Sequence, residues 1–144
     1  MCGLYAVTEL AAHSDRQISA SDIAEKYDIS LNHLAKVLRT LVRAKLIESV
    51  RGAGGGYRFS GNAKRVTLLD VIELFQEIGG EAGDSASLKH DEGKALHSIL
   101  REVDEFAVAS LRAITLSTLV KIIARQQNGG RADSGARKSS AIGA

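Results

Sequence analysis

The run R-G-A-G-G-G-Y-R-F, from Arg51 to Phe59, decides the fold. Gly52, Gly54, Gly55 and Gly56 supply backbone angles that other residues avoid and clear side chains from a tip. On either side the chain alternates, Leu46 to Val50 before and Tyr57 to Phe59 after, which predicts two strands and a hairpin. Arg51 and Arg58 flank the glycines and give the hairpin a positive rim.

Working upstream, Leu31, Leu34, Val37, Leu38, Leu41 and Val42 recur at helical spacing, so a helix to about Ala44 turns that stripe inward. Its start is marked by Ser30, whose hydroxyl can accept from backbone N–H groups of the first turn. Asn32, His33, Ala35, Lys36, Arg39, Thr40 and Arg43 are left outward. Asp28-Ile29-Ser30 is short enough to force a sharp turn from a preceding helix of about two turns, introduced by Ser19 with Asp22 three residues on and facing inward through Ile23, Ala24 and Tyr27. Leu4 to Ala12 carries one more apolar stripe through Leu4, Val7, Leu10 and Ala11. Ile18 is placed to add a short strand or a staple contact before the second helix.

Downstream, Asn62 to Arg65 closes the module, and Thr67 with Asp70 signals another helix start. Leu68, Val71, Ile72 and Phe75 give that helix its face, with Gly79-Gly80 as its expected end. Residues 79 to 93 are polar, rich in glycine and acids, and without apolar period, so they read as a long functional or mobile loop. Then Leu96, Ile99, Leu100, Val103, Phe106, Ala107, Leu111 and Ile114 mark the longest amphipathic helix, and Thr115 caps one more helix through Ile123. The stripe is larger than a small winged helix needs to cover itself, which points to a second copy packed along Ile99, Val103, Phe106 and Leu111. From residue 127 the composition predicts a disordered tail.

The fold class expected is therefore mainly α with a small β-hairpin wing, a winged helix-turn-helix plus a long dimerisation helix. The expected units are residues 1–65 for DNA binding, 66–126 for a linker helix, an effector loop and dimerisation helices, and 127–144 for the tail.

Charge decides among functions. The net formal charge of the 144 residues is only +2, but residues 30–65 hold 8 basic groups against 1 acidic, whereas residues 66–126 hold 6 against 10. Positive charge concentrated on the third helix and the hairpin is the footprint of a polyanion. In this reading Asn32, His33 and Lys36 reach base edges or phosphates from the first turns of a recognition helix, while Arg39 and Arg43 meet phosphate. The alternative is a winged-helix module whose basic face holds a protein partner.

Other chemistries lack support. The glycine run is no nucleotide cradle, because it lacks a Gly-Lys-Ser/Thr ending and lies between strands. No grouping of catalytic residues marks an enzyme. His90, Asp91, Glu92 and His97 read as solvated residues at a loop-to-helix junction rather than metal ligands, and the single cysteine, Cys2, rules out an intramolecular disulfide. No apolar stretch approaches the roughly 18 residues of a membrane span and no signal peptide opens the chain, so a cytoplasmic protein is expected.

I-S-A-S-D-I-A-E-K-Y-D-I-S-L-N-H-L-A-K-V-L (Ile18 to Leu38), L-I-E-S-V-R-G-A-G-G-G-Y-R-F (Leu46 to Phe59) and V-T-L-L-D-V-I-E-L-F (Val66 to Phe75) together resemble the Rrf-two family of winged-helix transcriptional regulators, over residues 4 to about 124. The resemblance implies a homodimer on double-stranded DNA at a near-palindromic operator, with the long helix crossing between subunits. It implies recognition-helix contacts by Ser30, Asn32, His33 and Lys36, and wing contacts by Arg51, Gly54, Gly55, Gly56 and Tyr57. Many members hold an iron-sulfur cluster on three cysteines before the long helix, but residues 79–96 here contain none. No cofactor is therefore expected, and a signal would come from a small-molecule effector, a partner protein or a redox change at Cys2. Members also usually carry several more residues ahead of the first helix, where this chain has only Met1-Cys2-Gly3.

Overall fold

The computed structural model describes residues 1–75 and 90–139, with side chains in the last helix described to Gly129. In chain order these are α1 (Cys2–Ala12), α2 (Ala20–Lys26), α3 (Leu31–Arg43), β1 (Ile47–Val50), β2 (Gly56–Phe59), α4 (Leu68–Glu73), α5 (Asp91–Ala113) and α6 (Leu116–Ser139). The architecture is mainly helical with one antiparallel hairpin, as the periodicities predict.

The core is built by α1, α2 and α3. Ala6, Val7 and Leu10 meet Ile23 and the Leu34, Val37, Leu38 and Leu41 stripe of α3, all at 6% exposure or less. Burying one such leucine is worth roughly 1.5–3 kcal/mol, which fixes the pose of α3 far more firmly than its intrinsic propensity could. Ile47 extends this cluster into the hairpin, and Val71 and Leu116 extend it to α4 and α6. The backbone stitches those late elements on: Leu68 N–H donates to the Ile114 carbonyl and Leu116 N–H to the Val66 carbonyl, each at 2.9 Å, and Ser117 N–H donates to the Ala63 carbonyl at 2.8 Å. A boundary at residue 65 therefore runs through the core rather than between two.

Helix ends follow from local chemistry. Ser19 accepts from Asp22 N–H and Ser30 from His33 N–H, each at 3.1 Å, and Thr67 forms a reciprocal box with Asp70. The C-termini of α2 and α3 close without glycine. After α2, Ile29 N–H reaches the Ala24 carbonyl and Asp28 N–H the Glu25 carbonyl; after α3, Leu46 N–H reaches Leu41 and Lys45 N–H reaches Val42. Both are Schellman closures, with Asp28 at φ 51° and Lys45 at φ 59° in the left-handed position that glycine usually fills.

Several boundaries differ from expectation. α4 closes at Glu73, not near Gly79, and Phe75 folds its ring over Gly3, where a Cβ would overlap it. The loop expected at 79–93 ends earlier, because α5 already begins at Asp91; residues 79–89 lie outside the described ones. Asp91 and Glu92 favour that earlier start by placing negative charge in the first turn. α6 keeps helical backbone to Ser139, where the tail was expected to lose it at residue 127. Propagating a nucleated helix costs far less than starting one, which offsets the poor propensity of Gly129, Gly130 and Gly135. Leu31, expected inward, is half exposed, and Thr40, expected outward, is half buried and donates to the Lys36 carbonyl at 3.2 Å.

One buried group escaped the periodicity. Glu9 on α1 is only 9% exposed, and its carboxylate accepts from Lys26 Nζ at 2.6 Å and Tyr27 Oη at 2.8 Å, pinning α1 to the end of α2. Tyr5 stacks on Tyr27 with ring centroids 5.0 Å apart. Burial opposes the charge on Glu9, but the hydrogen bonds from Lys26 and Tyr27 outweigh it and hold the carboxyl below its usual value. Burial, followed by the bond to Glu9, pushes the Tyr27 phenol up.

A lowered carboxyl contributes stability that is whole above the unfolded value, about 4.3, and fades as pH falls through the lower folded one. Glu9→Gln should therefore destabilise the protein by about 1–3 kcal/mol at pH 7. Urea titrations from pH 7 to 3 should show the deficit shrinking below about pH 4.3; a gap that stays constant would show that the charge of Glu9 is not what holds α1 to α2.

Candidate nucleic-acid interface

The third helix offers one exposed cationic face. Asn32, His33, Ala35, Lys36, Arg39 and Arg43 are all exposed, opposite the buried stripe, and α3 contains no acidic residue. Spacing of four places Leu31, Ala35 and Arg39 along one ridge and Asn32 and Lys36 along the next. The first turn points unpaired N–H groups outward from the Ser30 cap, which adds partial positive charge to the leading end. Among the described residues, Lys36, Arg39 and Arg43 form no ion pair.

The wing is fastened to the helices rather than left to swing. β1 and β2 pair from Ile47 with Phe59 to Val50 with Gly56. Ile18 adds a one-residue third strand: its N–H donates to the Tyr57 carbonyl at 2.9 Å, and Tyr57 N–H donates to the Ile18 carbonyl at 2.8 Å. Gln17 also donates its side-chain amide to the Gly54 carbonyl at the tip.

These contacts separate the glycines by job. Gly52 and Gly54 hold φ of 115° and 72°, angles a side chain would strain. Gly55 and Gly56 instead permit close approach: a Cβ would lie 2.7 Å from the Val50 carbonyl oxygen at Gly55 and 2.5 Å from that of Ile18 at Gly56. For Gly55 and Gly56, then, the chain itself explains the missing side chain. Tyr57 is likewise half buried against the core.

The two arginines of the hairpin also part company. Arg58 Nε donates to Glu48 Oε1 across the strands at 2.9 Å, so its charge is answered within the wing. Arg51 stays exposed and forms no ion pair among the described residues. Sequence spacing placed both arginines at the rim; the Glu48 pairing, visible only once register is known, answers the charge of one of them.

Along α5 no residue is buried, and Phe106 at 78% exposure, with Ile99, Val103 and Leu96 near 58%, lines an open apolar stripe. Leu111, expected on the same stripe, is partly covered.

Metal chemistry finds little here. Among the described residues no three His, Cys, Asp or Glu side chains group to hold a metal ion. Cys2 is half buried on α1, and burial pushes its thiol up against the weaker pull of the N-terminal amine.

A helix-turn-helix with a basic outer face and a fastened, arginine-bearing wing defines a DNA-binding regulator. The model for Rrf2, described as an iron-dependent transcriptional regulator, matches residues 1–122. The chain is 60% identical over 144 residues, 98% of this chain and 92% of the other, to a protein of Rhodopseudomonas palustris named as the HTH-type transcriptional regulator BadM. Among solved structures it is similar to T. potens IscR, with TM-score 0.70 and 25% identity over 87% of this chain and 85% of that one. Staphylococcus aureus CymR gives TM-score 0.66 and 32% identity over 83% and 92%. The chain belongs to the Rrf2 family: it is a winged-helix transcriptional regulator, not an enzyme. The iron in the family's description does not fit a cysteine-held cluster here, since one cysteine per chain is far short of the usual four thiolates.

Arg51→Ala should weaken DNA binding by about 1–3 kcal/mol while leaving thermal stability unchanged. Gly56→Ala should do the reverse in order, loosening the wing first: its Cβ must displace the backbone at Ile18. Anisotropy titrations beside thermal melts separate the two, and an Arg51→Ala protein that binds as tightly as the parent at equal salt would show that the wing makes no contact.

Proposed function

We propose that this regulator binds a near-palindromic operator as a homodimer and acts as a repressor in the cytoplasm, without an iron-sulfur cluster. The observation that carries the DNA mode is the acid-free, exposed face of α3 with Lys36, Arg39 and Arg43, beside exposed Arg51. Ser30 caps the helix, Asn32, His33 and Lys36 meet base edges or nearby phosphate, and Arg39 and Arg43 meet phosphate further along. Gly54 brings the wing tip close to the duplex; Gly55, Gly56 and Tyr57 hold it in place.

Support for the dimer comes from α5. An apolar stripe of this length left open on a monomer is a liability, and a second copy of the same stripe covers it with two-fold symmetry. Two recognition helices would then meet the duplex about 34 Å apart, or a multiple of that, which makes the operator near-palindromic. A dimer seated on such a site blocks polymerase without any activating surface, hence repression. Ligand-responsive control is assigned to a small molecule, a partner protein or a redox change at Cys2, because one cysteine per chain is a poor donor set for a cluster. Among the described residues no helix is long and apolar enough to cross a membrane.

Phe106→Asp should yield monomers by sedimentation, with operator affinity lowered and its dependence on protein concentration steeper. A monomeric Phe106→Asp that binds like the parent would remove the α5 dimer. For the parent, log affinity should fall linearly with log salt, by about 0.9 per phosphate neutralised; a shallow slope would favour a protein partner for the basic face.

Protein made with ample iron and purified without oxygen should show no visible absorption band and well under one iron per chain. Stoichiometric iron and sulfide, lost on Cys2→Ala or His90→Ala, would place the protein among cluster sensors instead.

A further inference from the structure

The leading turn of α3 carries a feature that phosphate binding does not use. Leu31, at its first position, is 51% exposed, while the stripe behind it, Leu34 and Leu38, is fully buried. The core does not need it. Ile29 and Leu34 occupy the positions that staple a helix start, and both belong to the packed cluster while Leu31 does not. One turn on, Ala35 is also exposed, so Leu31 and Ala35 form a short apolar ridge that continues into Arg39. Asn32 and Lys36 run beside it.

A major groove offers polar edges from every base pair but only one apolar group, the C5 methyl of thymine. Given the proposed mode of DNA binding, on which this inference rests, we propose that Leu31 is a specificity-determining residue that contacts a thymine methyl in each half-site, with Ala35 completing the apolar surface. Charge places DNA over this ridge: the cationic side chains lie on the same helix, no acidic side chain interrupts them, and the ridge occupies the leading end that enters a groove. The arrangement divides labour along one helix, with methyl recognition at the start and phosphate attraction toward the end.

The test uses the full-length protein and a duplex that it selects from a random pool. Each thymine of one half-site, with its symmetry mate, is replaced in turn by deoxyuridine, which deletes only the methyl. For the parent one replacement should weaken binding about fourfold per methyl, the worth of one buried methyl group. Leu31→Ala should bind the thymine duplex more weakly by a similar factor and should no longer distinguish thymine from deoxyuridine at that position. Ala35→Ser on the same duplexes is a second variant, and it should keep most of the discrimination. Thermal melts confirm that Leu31→Ala is folded, as an exposed first-turn site filled by the best helix former should be.

A parent indifferent to every replacement overturns the inference, as does a Leu31→Ala protein that discriminates as well as the parent. Failure to select any duplex would overturn the DNA-binding mode itself, a result distinct from either.

Discussion

Two backbone hydrogen bonds between Ile18 and Tyr57 fix where the wing stands relative to the recognition helix. A two-stranded hairpin of four-residue strands is marginal by itself in water. Adding Ile18 as a third, single-residue strand, together with the burial of Ile47, makes the hairpin part of the same folded unit as α1, α2 and α3. Gly56 is the condition for that pairing, since any side chain there would meet the Ile18 carbonyl. The wing and the first two helices are thus parts of one folded unit, joined through Ile18.

Much of this was legible in the sequence because it depends on local rules. The α3 stripe, the Ser30 and Thr67 caps and the glycine hairpin are set by spacing and side-chain chemistry within a few residues, and they appear where expected. What could not be read depends on pairings across the chain. Glu9 looks like an ordinary surface acid in a helix until Lys26 and Tyr27 arrive from α2. Arg58 looks like a free cation on the rim until strand register brings Glu48 opposite. Leu31 obeys the apolar period yet lies past the edge of the core, because periodicity gives direction from the helix axis but says nothing of how far the neighbouring elements extend. A helix N-terminus with nothing packed over it is where those two quantities part.

The polar features divide between holding the fold and facing outward. Glu9 with Lys26 and Tyr27, and Glu48 with Arg58, use acids to answer bases inside the module. Among the described residues the remaining cations of α3 and the wing root are left without such answers, and that imbalance, not the net charge of +2, is the quantity a polyanion meets. Acidic residues outnumber basic ones beyond residue 66, with 10 against 6 over residues 66–126.

The non-glycine closures at Asp28 and Lys45 bear on how such a protein changes over generations. Each holds a left-handed residue at a cost of about 1 kcal/mol, and between them they anchor both approaches to α3 through main-chain hydrogen bonds that make no use of its outer side chains. Since the inner stripe and the two closures determine the pose, Asn32, Ala35, Lys36 and Arg39 are free to vary without disturbing it. Changes on that outer face therefore alter what the helix presents while the scaffold beneath it stays put.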